Sequence, residues 1–345
     1  MVIQETKKLK RIVTEISNGV VIAWNGEKHY ILDPGVVVFE GNEIIFVGTT
    51  YNGVADESID ATGRIVMPGL INSHLHVTDT PFTQGFLEDI GDKGPAGSAT
   101  NLVSLYSVLP EVRHAADPDT QIAAAECTFA ELARTGSTTV AELGYDFEIG
   151  GNGDIAITER VADVSGRMGL RCYSSPRYRS RHYGLKHDSG VFYEDYPDKG
   201  LLEPDLIIGH GQVMSSDGDM NSMSAFEVAA LRESQTTICH LPWVKARRGG
   251  VINSIQKYKD LGIRQSLGTD TFPFDLFNDM RMAAVVCKIV ENAADAAPSE
   301  DVFAMATTGG ADALGRPDPG RLAPGCGADI VLVRIDTPKA APVYD

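Results

Sequence analysis

The chain has 345 residues, of which 43% are hydrophobic and 22% charged, and it carries a formal net charge of −17. This length and composition are typical of a globular protein with one or two domains, and they exclude disordered and fibrous architectures. Acidic residues number 47 against 30 basic ones, so the mean surface field repels nucleic acid and anionic membranes. We therefore expect neither nucleic acid nor a membrane as a partner, which leaves a small-molecule substrate to be indicated by the motifs below.

The cysteines and the hydropathy pattern bear on the compartment. The five cysteines are scattered along the chain and form no CxxC pair, which is typical of reduced thiols. No stretch stays apolar long enough to span a bilayer, and the basic residues at the amino terminus lead straight into polar ones. These features predict a soluble, cytoplasmic protein.

The two ends of the chain are rich in short β runs. Residues 11–64 contain VVIAW, HYILD, VVVFE and IIFVG, separated by Gly, Asn and Asp, and this pattern predicts a small sandwich or meander. The run ADIVLVRID near the carboxyl end returns to β character. We expect one discontinuous β-sandwich from residues 1–65 and 320–345, around a second domain of residues 66–319.

Strands and helices alternate through the second domain. A helix is predicted from Asp117-Pro118 to Gly136, and helices also follow the later strands. The six candidate strands are 66–74, 138–143, 170–174, 206–210, 236–240 and 263–270. This order predicts an α/β protein with a (β/α)8 TIM barrel. Eight strands are needed for closure, and the span 175–204 has room for one βα unit at most, so strands 4 and 5 have no place in this sequence.

The most specific local motif is MPGLINSHLH, where an apolar strand ends in two histidines. His74 and His76 are one residue apart, so on an extended strand their side chains lie on the same face and can bind one cation together. The alternative interpretation is a pair of partly buried histidines that are hydrogen-bonded to the backbone.

Three more polar residues end predicted strands. His210 ends LIIGH, His240 ends TTICH and Asp270 ends SLGTD. The carboxyl ends of barrel strands form one face, so these side chains are expected to converge on the two histidines of the first strand. Any one of them alone would more often be a structural residue, but four strand ends that all carry His or Asp indicate an active site.

The ordered motifs PGLINSHLH, LIIGHG, ICHLPW and SLGTD resemble those of the amidohydrolase superfamily, in the branch of cytosine deaminases and triazine (atrazine, melamine) hydrolases. The resemblance implies that His74, His76 and Asp270 are metal ligands and that Asp270 also accepts a proton from water. It implies that His210 polarises the substrate. It places His240 near the pocket wall, with a catalytic role less well defined.

One element of that branch is absent from the sequence. The branch supplies a further metal-ligating histidine from its fifth strand, followed three residues later by a proton-shuttling glutamate, and no HxxE occurs in this chain. The place expected for this HxxE motif falls in the span 175–204, where His182 and His187 have no glutamate at this spacing. Either the sequence lacks a segment that the functional protein has, or His210 is the third metal ligand and the site works without the usual shuttle.

The resemblance implies one divalent metal, Zn²⁺ or alternatively Fe²⁺, because no lysine stands at a fourth-strand end to bridge two ions. The predicted reaction is metal-dependent hydrolysis of a C–N bond, by deamination of an amino-substituted N-heterocycle with metal-activated water. Three alternatives remain open: an amide, carbamate or urea hydrolase, a C–Cl hydrolase, and a non-catalytic ligand-binding relative.

Further residues are candidates for the pocket. The segment DTPFTQGFLEDIG follows the first strand, and its Phe82, Gln84 and Phe86 are predicted substrate contacts, with aromatic packing as the alternative. Trp243 stands where the branch has small and amide residues, so it is also a predicted contact. Assembly into a homo-oligomer is expected from the resemblance alone.

Overall fold

The protein is described by a computed structural model that divides the chain into two compact units. The described residues are 11–78, 81, 115–147, 155–178, 204, 206–210, 225–247 and 255–337. One unit comprises Met1–Gly69 with Pro317–Asp345, and the other comprises Leu70–Arg316. Among the described residues, no helix is long and apolar enough to cross a membrane.

Strands and helices follow one another along the described ranges. The strands are β1 (Val13–Trp24), β2 (His29–Glu40), β3 (Glu43–Gly48), β4 (Glu57–Asp60), β5 (Arg64–Pro68), β6 (Leu70–Leu75), β7 (Ser137–Phe147), β8 (Arg171–Tyr178), β9 (Ile207–Gly209), β10 (Thr237–His240), β11 (Arg264–Leu267) and β12 (Ile330–Arg334). The helices are α1 (Pro118–Arg134), α2 (Ile155–Arg167), α3 (Ala225–Ser234), α4 (Pro242–Arg247), α5 (Ile255–Asp260), α6 (Leu276–Glu291), α7 (Ser299–Met305) and α8 (Thr308–Ala313).

The first unit is built on a six-stranded sheet in the order β12-β5-β1-β2-β3, with β4 paired to β1. The runs HYILD and VVVFE, which we expected to be separate strands, form the single strand β2, and it pairs antiparallel with β1 along most of its length. Strand β12 pairs antiparallel with β5, so residues near both ends of the chain share one sheet. The alternating side chains of β1 supply Ile16, Val21 and Ala23 to the core of this unit.

The second unit contains two three-stranded parallel sheets, β6-β7-β8 and β9-β10-β11. A single parallel bridge between Leu75 and Asp270 connects β6 to the segment that follows β11. The predicted alternation of parallel strands with helices is therefore confirmed, and this unit is an α/β structure. Within the described residues, β8 and β9 each have one edge without a paired strand, and the span between them, 179–203, lies outside the description.

Helix α1 covers the outer face of β6 and β7. It begins where the sequence predicts, because the side chain of Asp117 accepts a hydrogen bond from the Thr120 N–H at 2.7 Å and Pro118 occupies the first turn. It ends before Gly136, whose φ of +84° suits glycine. Its apolar face places Phe129 and Leu132, both fully buried, in the core of this unit.

Removing the largest side chain of that interface should destabilise the α/β unit. Phe129→Ala leaves a cavity beneath α1, and we expect it to lower the free energy of unfolding by about 3–5 kcal/mol. The matched control is Phe226→Ala on α3, where the side chain is 53% exposed and the expected change is below about 1 kcal/mol. Urea unfolding followed by circular dichroism measures both, and equal effects would contradict this placement of the core.

Candidate metal centre

The centre is built on β6, a strand whose six residues are all buried. Alternate side chains of an extended strand lie on one face, so Asn72, His74 and His76 point in the same direction. The rings of His74 and His76 lie 5.5 Å apart, edge to face. Both side chains are largely shielded from solvent, with 9% and 14% of their surface exposed.

Asp270 reaches the same place from the segment after β11. Its backbone N–H donates to the His74 carbonyl at 2.9 Å, and its carbonyl accepts from the His76 N–H at 3.0 Å. These two bonds fix the aspartate directly beside the two histidines. Asp270 has a φ of +60°, in the left-handed region that non-glycine residues adopt at an energetic cost.

The Asp270 carboxylate lies between the imidazole rings. Its Oδ1 is 3.5 Å from His74 Nε2 and 3.3 Å from His76 Nε2. Burial by itself raises the pKa of Asp270, but hydrogen bonds from His74 and His76, together with the charge of His210, outweigh it and hold the pKa well below its usual value. The carboxyl group is therefore ionised at neutral pH.

His210 approaches the opposite oxygen of that carboxylate. It follows β9, and its N–H donates to the Cys239 carbonyl at 3.0 Å, which ties the strand end to β10. His210 Nε2 lies 3.6 Å from Asp270 Oδ2, and its ring centroid is 5.3 Å from that of His74. Its side chain is 30% exposed, so it faces the more open side of the cluster. Its φ of +68° is again left-handed.

The donor set of this cluster fits a metal ion. His74, His76 and Asp270 each offer one ligand atom, and the three atoms lie within 4.8 Å of one another. Two ligands of one tetrahedral zinc ion, at about 2.0–2.1 Å each, are roughly 3.3 Å apart. The observed spacings of 3.3 and 3.5 Å match this value and exceed the ~2.7–2.9 Å of a charge-assisted hydrogen bond.

The tautomer of His76 also suits a metal ligand. Its Nδ1 lies 3.1 Å from the carbonyl oxygen of Leu143 in β7, and a carbonyl can only accept. Nδ1 therefore carries a proton, so Nε2 is the ring nitrogen that faces the cluster and that can bind a metal ion once its own proton is lost. A backbone carbonyl is one of the usual second partners of a ligating histidine.

Two glycines allow the strands to approach the cluster closely. A Cβ atom on Gly209 would lie 2.5 Å from both Cε1 and Nδ1 of His74. A Cβ atom on Gly268 would lie 2.7 Å from the His74 carbonyl oxygen and 2.8 Å from Leu241 Cδ2. Gly209 precedes His210 by one residue and Gly268 precedes Asp270 by two. In the motifs GH and GTD, the glycine is therefore required for space and the last residue supplies the polar group.

His240 lies apart from the cluster, and the catalytic role predicted for it stays a prediction. Its Nε2 lies 2.9 Å from Gln265 Oε1, and its ring lies 5.3 Å from that of Tyr258 on α5. Ile238, two residues earlier on the same face of β10, packs in a core cluster with Tyr258. His240 is thus a buried residue beneath the helices, and burial lowers its pKa to about 4.

Most of the remaining predicted site residues lie outside the part of the chain that the structure describes. Phe82, Gln84 and Phe86 lie outside the described residues, as do His182 and His187. Trp243 is partly buried at the start of α4, where its backbone N–H donates to Asp279 Oδ1 at 3.0 Å. Sequence reasoning missed Asn72 and Gly209, although the alternation of β6 and the glycine before His210 were visible signals.

The fold and the cluster define a class, the α/β enzymes that hold a hydrolytic metal at the carboxyl ends of parallel strands. Residues 177–345 match the family model described as the amidohydrolase family. This match, together with the relatives described next, supports the resemblance of the motifs to the amidohydrolase superfamily.

Known proteins agree with this assignment. A 5-methylthioadenosine/S-adenosylhomocysteine deaminase of Halobacterium salinarum is 27% identical over 389 aligned positions, which cover 91% of this chain and 85% of the relative. A triazine hydrolase of Arthrobacter aurescens superposes with a TM-score of 0.78 at 19% identity, covering 97% of this chain and 89% of the other. A zinc-bound adenosine deaminase of Xanthomonas campestris gives 0.75 at 18% identity, with 96% and 87% coverage.

Filling the space beside His74 should weaken metal binding. Gly209→Ala places a methyl group against the imidazole, which must then turn away from Asp270, and we expect zinc affinity to fall about 10- to 100-fold. Gly166→Ala is the matched control, because a Cβ atom there meets nothing within 4 Å in α2. Competition with a chromogenic chelator measures both affinities. Unchanged zinc binding in Gly209→Ala would contradict the need for His74 in this position.

The buried His240 should make the fold sensitive to acid. Its pKa is about 4 in the folded state against 6.5 in the unfolded chain, so its contribution to stability is complete above pH 6.5 and is lost as the pH falls towards 4. His240→Gln keeps a hydrogen-bond donor without a titrating group, and its urea midpoint should fall less steeply over this range. At about pH 7.5 His240 is neutral in both the folded and the unfolded state, so the difference in urea midpoint there measures the effect of the substitution that does not depend on titration. Parallel pH profiles would contradict the expectation.

Proposed function

We propose that this protein is a zinc-dependent hydrolase that deaminates an amino-substituted N-heterocycle, and that the substrate is an adenine nucleoside. The observation that carries the proposal is the pair of 3.3 and 3.5 Å separations between Asp270 Oδ1 and the two histidines. The names of the relatives support the substrate class, because two of those described above are deaminases of adenine nucleosides.

His74, His76 and Asp270 would hold the ion, and the zinc-bound neighbour supports zinc as its identity. A divalent cation supplies a Lewis acid that lowers the pKa of water towards neutrality. His210 lies on the other carboxylate oxygen and is more exposed, so we assign it to the substrate and leave the ligand set at these three residues.

Asp270 is placed to move the proton of the reaction. Its ionised carboxylate accepts a proton from the attacking water, whose oxygen forms a bond to the amino-bearing ring carbon. The C–N bond then breaks, and the proton leaves with the nitrogen as ammonia. No HxxE glutamate exists in this sequence, so we assign the return of the proton to Asp270 as well.

His210 would act on the ring of the substrate. Its left-handed backbone turns the imidazole towards the open side of the cluster, beside Asp270 Oδ2. From there an N–H can donate to the ring nitrogen next to the reacting carbon, where charge develops as the water adds. Trp243, Phe82, Gln84 and Phe86 remain proposed substrate contacts.

The wider architecture belongs to the same proposal. The six parallel strands of the described residues fit part of a (β/α)8 barrel, with β8 and β9 on either side of the span 179–203, and the sheet of the first unit fits one layer of a β-sandwich. The triazine hydrolase supports this architecture by its similarity over 97% of the chain. Homo-oligomeric assembly and a cytoplasmic location stay predictions.

Removing the charge of Asp270 tests the reaction. With zinc supplied, the protein should release ammonia from adenosine, 5′-deoxyadenosine or 5-methylthioadenosine, and Asp270→Asn should lower kcat by roughly 10²–10⁴-fold. The matched control is Asp279→Asn, a second buried aspartate whose pKa burial raises to about 8, so that the neutral amide resembles the native acid at pH 7. Its kcat should stay near that of the native protein.

The substrate panel separates the alternatives. Ammonia from adenine nucleosides or aminotriazines supports deamination, whereas chloride from chlorotriazines or amine from amides and ureas would move the assignment to another hydrolysis. Zinc binding without turnover on any panel would overturn the enzymatic proposal and favour a ligand-binding relative.

A further inference from the structure

A buried amide lies directly below the metal centre, on the same face of β6 as its two histidines. Asn72 Nδ2 donates to Thr269 Oγ1 at 2.8 Å, and the Thr269 N–H donates to Asn72 Oδ1 at 3.1 Å. Through these two bonds, the amide of Asn72 contacts both the hydroxyl and the backbone N–H of Thr269, and the bonded atoms form a closed ring. Both residues are fully buried, so water does not compete for these groups.

This clasp, the ring formed by Asn72 and Thr269, closes the seam between β6 and the segment after β11. Across that seam the described residues form one bridge, between Leu75 and Asp270, rather than a continuous ladder. The amide of Asn72 replaces the backbone hydrogen bonds that a longer ladder would provide. It also accepts a weak bond from the His74 N–H at 3.4 Å, which links both sides of the cluster.

The residue after the clasp is the metal-ligand candidate Asp270, and its backbone is strained. A φ of +60° in a non-glycine residue persists only where the surroundings hold it. The peptide that enters Asp270 is anchored on one side by Thr269, through its N–H and its hydroxyl. On the other side it is anchored by the bonds to His74 and His76.

We propose that Asn72 is a positioning residue, which fixes Thr269 and thereby holds the Asp270 carboxylate at the spacing that one metal ion requires. The inference rests on the metal centre of the proposed function. Asn72 acts through hydrogen bonds, because its amide offers Thr269 a donor and an acceptor on two separate atoms. An alanine would leave the Thr269 N–H buried without a partner, and the strained peptide would be free to relax.

Metal affinity tests the proposal without reference to turnover. Asn72→Ala should bind zinc about 10- to 100-fold more weakly in chelator competition, the range found when a second partner of a ligand is removed. With Co²⁺ as the probe, its visible absorption bands should shift, since a displaced carboxylate changes the coordination geometry. A loss of stability alone would not alter the spectrum of the bound ion.

Variants of Thr269 keep the test informative if Asn72→Ala does not fold. Thr269→Val keeps the shape but removes the oxygen that accepts from Asn72, and it should reproduce the loss of affinity. Thr269→Ser keeps the oxygen and should stay within about three-fold of the native protein. Because both residues act through one clasp, Asn72→Ala with Thr269→Val should weaken binding no more than the stronger single variant.

The control for lost stability is Ser165→Ala in α2, where a buried hydroxyl donates to the Ala162 carbonyl at 2.8 Å. It removes a comparable buried hydrogen bond away from the cluster, and zinc affinity should not change. Native affinity and an unchanged cobalt spectrum in folded Asn72→Ala or Thr269→Val would overturn the inference. If the native protein itself bound no zinc, the metal centre of the proposed function would fail instead.

Discussion

A buried carboxylate is the constraint on which the α/β unit depends. Asp270 is 5% exposed, and an ionised carboxylate taken out of water costs several kcal/mol unless hydrogen bonds or opposite charge compensate it. Three imidazoles surround it, from β6, from the residue after β6 and from the residue after β9, and their hydrogen bonds and charge lower the pKa of Asp270 against the effect of burial. The strands that carry these rings must therefore keep them within interaction distance of the carboxylate, which is a stricter requirement than filling the core.

That requirement explains why the unusual backbone features gather here. Both Asp270 and His210 have left-handed φ values, and Gly209 is needed because the His74 ring lies against the backbone of β9. Strain of this kind persists where neighbouring interactions determine the conformation, as the clasp of Asn72 and Thr269 does. The strained backbone costs stability, but it fixes the arrangement of the donor atoms, as a site that binds an ion requires.

Much of the centre could be predicted from the sequence, and the failures have physical reasons. The six parallel strands and the convergence of His74, His76, His210 and Asp270 follow from strand alternation and from the rule that strand ends share one face. The separation of His240 from the cluster could not be predicted, because a parallel strand is buried on both sides and a hydrophobic run does not reveal which face its last residue joins. Its neighbour Ile238, which packs beneath the helices, decides that question in three dimensions.

The length that this chain lacks relative to the curated deaminase bears on proton transfer more than on metal binding. The aligned length of 389 positions exceeds the 345 residues of this chain, so the archaeal relative carries residues where this chain has none. Yet His74, His76 and Asp270 come from β6 and from the segment after β11, which are bridged directly to each other. His210 depends only on β9 and its partner β10. The donor set can therefore form without strands 4 and 5. In the mechanism proposed above, the Asp270 carboxylate both accepts the proton from water and returns it to the leaving group, since this sequence contains no HxxE glutamate for the second step.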